Sequence, residues 1–407
     1  MVATLGTMVE MTPEIHGLPM ARSCPFHPPD ALGPLREQAP LSRLIFPDGH
    51  RGWLVTSHAL AREVLADNRF SNRNEYRRWP IERARVTSRH MPTLPGMFSR
   101  LDPPEYTRYR RLLAGQFTVR RMAMLEPRIT EIANACLDEM MRVGPPSDFL
   151  RDFAVPIPSA MICELLGVPL EDREAFLQRS HVLVDMKTTT IDSARAWAYL
   201  YDYISKLIVA KRARPGDDLL SGLTGSDLTD EELTGVGVTL LVAGLESTAS
   251  MIALGLYALL ENPDQLAVLL GDMDGLDNAI EELVRHQTIF HMGPFRGALE
   301  DVVLAGQHIS RGEVVLVSLP AANRDPERFD DPDRMDLRRR TTGHLGFGHG
   351  VHQCPGQHLA RAELRIGYSV LFQRLPGLRV AVPREKIEMR HDMGVWGVKS
   401  LPVAWDV

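Results

Sequence analysis

The 407 residues include 46 basic and 52 acidic side chains, a formal charge of −6, with 24% charged and 44% hydrophobic residues. Those proportions exclude a disordered or collagen-like chain. The mildly acidic balance lacks the basic footprint of a nucleic-acid binder, and a run such as Arg338-Arg339-Arg340 reads as a solvated face.

Met1–Met20 has no basic segment ahead of an apolar core, so it is not read as a signal peptide, and it is expected to be disordered. Cys24-Pro25-Phe26-His27-Pro28-Pro29 reads as an extended, proline-fixed lead-in. A short strand is expected at Trp53-Leu54-Val55-Thr56, and helices dominate from about residue 58 to 290. Asp102-Pro103-Pro104-Glu105 supplies an N-cap, a proline at the first helical position and an acid at the third. Tyr106 and Arg110, four residues apart on that helix, share a face.

Cys136 and Cys163 sit in apolar, helical contexts and are expected to be core thiols. No two of the four cysteines form a CxxC pair, and the set describes no disulfide framework. Thr229-Asp230-Glu231-Glu232 is a capping box opening a helix that continues to Glu261, about 50 Å at ~1.5 Å per residue. Its middle, Ala243-Gly244-Leu245-Glu246-Ser247-Thr248, is polar where a buried helix is ordinarily apolar. The most apolar stretch, Val236 to Leu245, ends at Glu246 and falls short of the ~20 residues that span a bilayer. No membrane association is expected, and the location is expected to be cytoplasmic.

Glu282 and Arg285 lie three apart on one helix face. Val302-Val303-Leu304 and Val314-Val315-Leu316-Val317, beside Gly306 and Gly312, are strand signals. No repeat or linker separates the two strand-bearing regions. Residues 21–407 are therefore expected to form a single, mainly α domain with a small β portion.

The densest chemical signal runs from His344 through Cys354 to Glu363. Gly346, Gly348 and Gly350 alternate, so the loop can adopt positive φ and approach a flat ligand closely. A helix is expected right after Cys354 with Pro355 at its first position, which biases the sulfur towards thiolate. Three chemistries use such a cysteine. The intervals to nearby histidines fit no zinc finger or ribbon. A cysteine phosphatase needs an arginine closing a phosphate cradle, and Arg361 lies seven positions on, on a turn directed away. The third is a thiolate ligand to haem iron.

Phe347-Gly348-x-Gly350-x-His352-x-Cys354-x-Gly356 resembles the haem-ligand signature of the cytochromes P-450, and the match continues through Leu359-Ala360-Arg361 to Glu363. Further resemblance to soluble actinobacterial members lies at Cys24–Pro29, Leu101–Glu105, Ile162–Pro169, Arg214–Leu220 and Leu401–Trp405. It implies haem b (iron protoporphyrin IX) held between the long central helix and the cysteine-loop helix, with Cys354 on the iron. By the same resemblance, Glu282 and Arg285 are the family's Glu-x-x-Arg pair, and Arg334 is the arginine that completes the triad. Tyr106 replaces the more usual His in the pair that, with Arg110, holds a haem propionate. Arg296 and His352 are the other propionate candidates, with Ala243 and Gly244 leaving room beside the central helix.

Glu246 and Ser247 resemble the acid–alcohol pair that passes protons to bound dioxygen, with Ser where Thr is usual and Thr248 available to share the role. The implied activity is a monooxygenase acting on a sizeable hydrophobic molecule, a polyketide, macrolide or other secondary metabolite. Electrons would come from NAD(P)H through ferredoxin reductase and a ferredoxin docking near Arg111, Arg120, Arg121 and Arg361. The protein is expected to be a monomer. Substrate contacts are expected from Ile81–Arg100, including Met91 and Met97, from Val182–Thr190, and from Val242, Met292, Gly293 and Trp396. A haem–thiolate sensor and a non-haem cysteine hydrolase are the competing function classes.

Overall fold

The capping box is formed as its sequence requires: the Thr229 hydroxyl accepts from the Glu232 amide at 3.2 Å, and Glu232 accepts from the Thr229 amide at 2.9 Å. It opens the central helix, Asp230–Leu260. The computed structural model describes residues 13–82, 93–185, 187–391 and 393–406. Apolar residues resume beyond Thr248 and run to Leu260, so this helix is long and apolar enough to cross a membrane by composition, contrary to the shorter run counted above. It is instead buried along most of its length inside the protein.

Helices Pro156–Leu166, Thr190–Ala213 and Gln357–Arg374 pack against it and share one large apolar core with Val119–Val143. The cysteine-loop helix, Gln357–Arg374, meets the central helix through the Tyr368 hydroxyl, which donates to the Ile252 carbonyl at 2.9 Å. Gly255 lets that ring in, since a Cβ there would lie 2.3 Å from the Tyr368 oxygen.

The expected strands at 53 and 314 pair with each other. A six-stranded sheet runs in the spatial order Glu14–His16, Leu41–Ile45, Arg51–Val55, Val314–Val317, Phe295–Ala298, Phe70–Ser71. Trp53 lies opposite Val315 in a parallel pair, so the distant segments form one body. The Trp53 indole donates to Glu313 at 2.9 Å and carries the Arg43 guanidinium over its face at 3.7 Å. Residues 14–16, expected to be disordered, are the edge strand of this sheet.

Two local expectations fail because side chains find better partners. Cys24–Pro29 is a turn closed by the His27 amide on the Cys24 carbonyl at 3.2 Å, which drives Phe26 into the core. Asp102 caps no helix, which starts instead at Glu105 (Glu105–Gln116). Its carboxylate accepts from the Ser71 hydroxyl at 2.6 Å and the Asn72 amide at 2.8 Å, tying this segment to the sheet.

Glu282 and Arg285, both 0% exposed, form a two-pronged pair at 2.7 and 2.9 Å on the helix Leu276–Gln287. Arg334 does not complete it. Arg339 does, with Nε 3.3 Å from Glu282, while Arg334 is exposed and contributes only its carbonyl, which accepts from Arg339 at 3.1 Å. The Asp331 carbonyl accepts from the same guanidinium at 3.0 Å, and the Asp330 carbonyl accepts from it as well. In urea unfolding, Arg285→Ala is expected to cost about 3–5 kcal/mol by stranding a buried carboxylate. Arg339→Ala should cost about 2 kcal/mol, and Arg334→Ala should stay within about 0.5 kcal/mol of the parent.

Candidate active site

The cysteine loop is shaped from both ends. The Cys354 amide donates to the Phe347 carbonyl at 2.9 Å, and the Gly348 amide donates to that of Leu345 at 2.9 Å. Gly348 and Gly350 take the positive φ expected, +74° and +72°. At Gly350 a Cβ would lie 2.3 Å from the Leu65 carbonyl, so only glycine fits. Gly346 lacks the positive φ and is needed for contact with Val284 instead. Beside Gly348 and Gly356 a Cβ would meet nothing within 4 Å, so the loop presents bare backbone to open space.

Its helix begins at Gln357 rather than Pro355, with Gly356 as the cap. Cys354 is thus set back from the helix terminus, and burial raises its thiol above the ordinary value, outweighing the Gly356 amide and the Arg110 and Arg361 cations. In the protein alone the expected thiolate bias is reversed.

Arg361 turns back over the loop rather than away from it. Its guanidinium lies 4.3 Å from the Phe347 ring and pairs with Glu281, which also takes His344 at 2.9 Å. Burial opposes the charge on Glu281, but Arg361 and His344 outweigh it and hold its carboxyl down at about 2. This clamp, missed in the sequence because Glu281 stands outside every motif, neutralises one arginine of the expected docking face. Arg121 is likewise engaged, with Gln116 at 2.6 Å, while Arg111 and Arg120 are exposed.

On the central helix, Ala243 is exposed and Val242 and Ser247 are half-buried, although the surrounding helix is buried. Thr248 meets the cysteine-loop helix instead: its hydroxyl hydrogen-bonds Glu363, whose carboxyl burial pushes up to about 8. Tyr368 reaches Ile252 one turn further along, so the two helices run in the same direction through this contact. Earlier on the central helix, Ala243 is exposed. At Gly244, by contrast, a Cβ would lie 3.3 Å from Ile162, so this glycine serves close helix packing.

Ser247 Oγ donates to the Ala243 carbonyl at 2.8 Å. Glu246, with its side chain 6% exposed, has both oxygens occupied, by His181 Nδ1 at 2.7 Å and Arg390 Nη1 at 2.6 Å. Burial pushes its carboxyl up, but these two cations outweigh it and hold it below the usual range. The hydrogen bond to Glu246 in turn raises His181 against the opposing effect of burial. The clasp joins the central helix to the helix Arg173–Val184 and to the Met389–Val398 hairpin, a join no local sequence pattern announces.

Cations gather at the other edge. Arg296, carried on its strand, bonds Asn72 Oδ1 at 2.8 Å, and burial lowers it to about 10. His352 is pushed down to about 3, by burial first and then by Arg296, Arg100 and Arg110, so it is a neutral imidazole. Arg110 Nη1 is buried without a partner. The Tyr106 hydroxyl donates to the Val351 carbonyl at 2.8 Å, and its ring lies 4.2 Å from that of His352.

Of the expected substrate contacts, Met97 and Val242 are half-buried and Met292 is buried. Gly293 has φ +68° and abuts the Val317 carbonyl, which a Cβ would approach to 2.0 Å. Met91 lies outside the described residues. Trp396 is 1% exposed, donating to the Pro25 carbonyl at 2.8 Å under the Arg22 cation, and it has no surface to offer a substrate.

A lone thiol, a bare glycine loop, an exposed strip on an otherwise buried helix and arginines that form no ion pair among the described residues fit a planar iron ligand carrying two carboxylates, so the site is that of a haem–thiolate protein. The comparisons agree. A family model described as Cytochrome P450 matches residues 182–396. Cytochrome P450 105C1 of a Streptomyces species is 47% identical over 93% of this chain and 96% of its own. The monooxygenase PikC of Streptomyces venezuelae is 42% identical over 91% of this chain and 89% of its own. The crystal structure of CYP105P1 with filipin I superposes with a TM-score of 0.89 at 40% identity, covering 97% of this chain and 99% of that one.

The chain belongs to the cytochrome P450 family. It is a haem-dependent monooxygenase served by a ferredoxin, and the hydrolase and sensor readings are set aside.

The clasp has a defined pH window. Its His181 contribution is complete below the unfolded value of 6.5 and is lost as pH rises through the raised folded value. Its Glu246 contribution is complete above the unfolded value of 4.5 and is lost as pH falls through the lowered folded value. Hydrogen exchange in Arg173–Val184, corrected for intrinsic rate, should accelerate as pH rises past the His181 transition, and His181→Gln should remove that dependence.

Proposed function

We propose that the enzyme is a soluble, cytoplasmic monomer that inserts one oxygen atom of dioxygen into a sizeable apolar secondary metabolite of polyketide or macrolide type. What supports this reading is the bare Cys354 loop, the exposed Ala243 strip on a central helix that packs against the Cys354 helix, and the buried Arg110 Nη1 with no partner. Cys354 would ligate the iron, with Arg110 and Arg296 on the propionates and neutral His352 donating beside them. Bound haem supplies the redox centre where dioxygen is activated, with the thiolate favouring O–O cleavage.

The protein's own part is orientation and proton control. Ser247 Oγ holds its proton on the Ala243 carbonyl, and a rotation about χ1, which serine allows more freely than threonine, would release that proton to the open side. Glu246 can pass protons only when its clasp opens, so movement of the Arg173–Val184 helix and proton supply are coupled. Electrons would come from NAD(P)H through ferredoxin reductase, with the ferredoxin meeting Arg111 and Arg120. A relative's structure holding filipin I, and the apolar Met97 and Val242 here, support a large hydrophobic substrate.

The dithionite-reduced carbon monoxide complex should show a far red-shifted Soret band that Cys354→Ala abolishes. Ser247→Ala should keep that band and ligand binding but lower the product formed per NAD(P)H, by up to roughly 10²-fold. An unchanged yield would remove Ser247 from the proton path.

A further inference from the structure

The family's usual histidine at position 106 is a tyrosine in this chain, and the structure shows where its one proton goes. The Tyr106 hydroxyl is spent on the Val351 carbonyl at 2.8 Å, and its ring lies tilted against that of His352. A phenol raised further by burial carries no positive charge, so this position contributes none to the haem-carboxylate wall.

Arg100 brings a further positive charge to bear on the neighbouring His352. It closes the single turn Phe98–Arg100, its amide donating to the Met97 carbonyl at 2.9 Å and its carbonyl accepting from Thr93 at 3.3 Å. One residue earlier, the Ser99 carbonyl accepts from Asn72 Nδ2, and Asn72 Oδ1 accepts from Arg296 at 2.8 Å. This Ser99–Asn72–Arg296 bridge fixes the backbone of Arg100 beside the Arg296 guanidinium. Repulsion between the two contributes to the lowering of Arg296.

Among the described residues no carboxylate pairs with Arg100. The nearest acid in the chain, Asp102, already accepts from Ser71 and Asn72 and lies 3.5 Å from Arg73 Nε. Arg110 Nη1 is buried and unpaired in the same cluster. Three guanidiniums, Arg100, Arg110 and Arg296, thus act together on His352, and among the described residues none is ion-paired; Asp102 offsets Arg296 only as a neighbouring charge whose oxygens are bonded elsewhere. Such a concentration of like charge, with Arg296 buried and Arg100 and Arg110 half-buried, is costly unless an anion offsets it, and a planar guanidinium suits a carboxylate fork.

We propose that Arg100 is a third propionate-binding arginine, supplying the positive charge that Tyr106 withholds. The proposal rests on the haem reading above. Its role is to hold the cofactor and set its potential, since a cation beside the haem favours the reduced, more negative state.

The test uses the purified holoenzyme and its Arg100→Gln and Arg100→Lys variants, with Arg110→Gln as a reference. Haem transfer to excess apomyoglobin and the spectroelectrochemical reduction potential are both read. Arg100→Gln should lose haem about tenfold faster, the worth of a charged hydrogen bond, and shift its potential negative. Arg100→Lys should recover most of the potential and less of the retention, because an ammonium keeps the charge without the fork.

Unchanged loss and potential in Arg100→Gln, while Arg110→Gln loses haem faster, would overturn the assignment and leave the haem reading intact. Faster loss in both Arg100 variants with no change in potential would make Arg100 a mere prop for its turn, and also overturns it. Absence of haem from the parent protein would sink the reading on which the proposal rests.

Discussion

The position of Cys354 depends on one buried ion pair. Glu282 and Arg285 are wholly removed from water, and such a pair is tolerable only when its remaining donors and acceptors are met. Here they are met by long-range partners. The Asn323 and Pro332 carbonyls take Arg285 at 2.7 and 3.0 Å, and the Asp336 amide and Arg339 meet Glu282. Asn323 then accepts from the Leu345 amide at 2.7 Å and so anchors the start of the cysteine loop. The neighbouring Glu281 clamps the same loop through Arg361 and His344. Two adjacent acids on one helix therefore fix where the thiol sits.

The facing wall is built on a different principle. A helix with apolar residues on both sides of its middle is stable when buried, and that stability carries a short polar interruption at Glu246–Ser247. Glu246 is ionised inside the protein because His181 and Arg390 approach from two other elements. The central helix, the helix Arg173–Val184 and Arg390 are thereby joined at one carboxylate. The cation cluster at the opposite edge is a further constraint. Arginines without acids favour binding of an anionic group, and whatever binds there stabilises the folded chain by mass action.

The departures from family pattern are local and compensated. Tyr106 keeps the shape of its position by packing on His352 and donating to backbone. Thr248, a spare hydroxyl beside Ser247 by sequence, points about one hundred degrees round the helix and meets Glu363. The arginine that completes the buried triad sits five residues beyond Arg334, in the run Arg338-Arg339-Arg340, where sequence alone reads a solvated face.

The fold class, the cysteine and its glycine loop, the capping box at Thr229, the Glu282–Arg285 pair and the two strand regions are all legible along the chain. These are legible because each depends on residues close together in the chain or on the spacing of one motif. Long-range packing selects Arg339 rather than Arg334 for the pair and clasps Glu246 with His181 and Arg390. It also makes Gly244 a packing residue, buries Trp396, and has Asp102 tie a sheet rather than cap a helix. Each of those depends on which of several equivalent side chains is brought near a distant partner. Hydrogen bonds and ion pairs form over about 3 Å, and no local pattern specifies the three-dimensional approach of segments hundreds of residues apart.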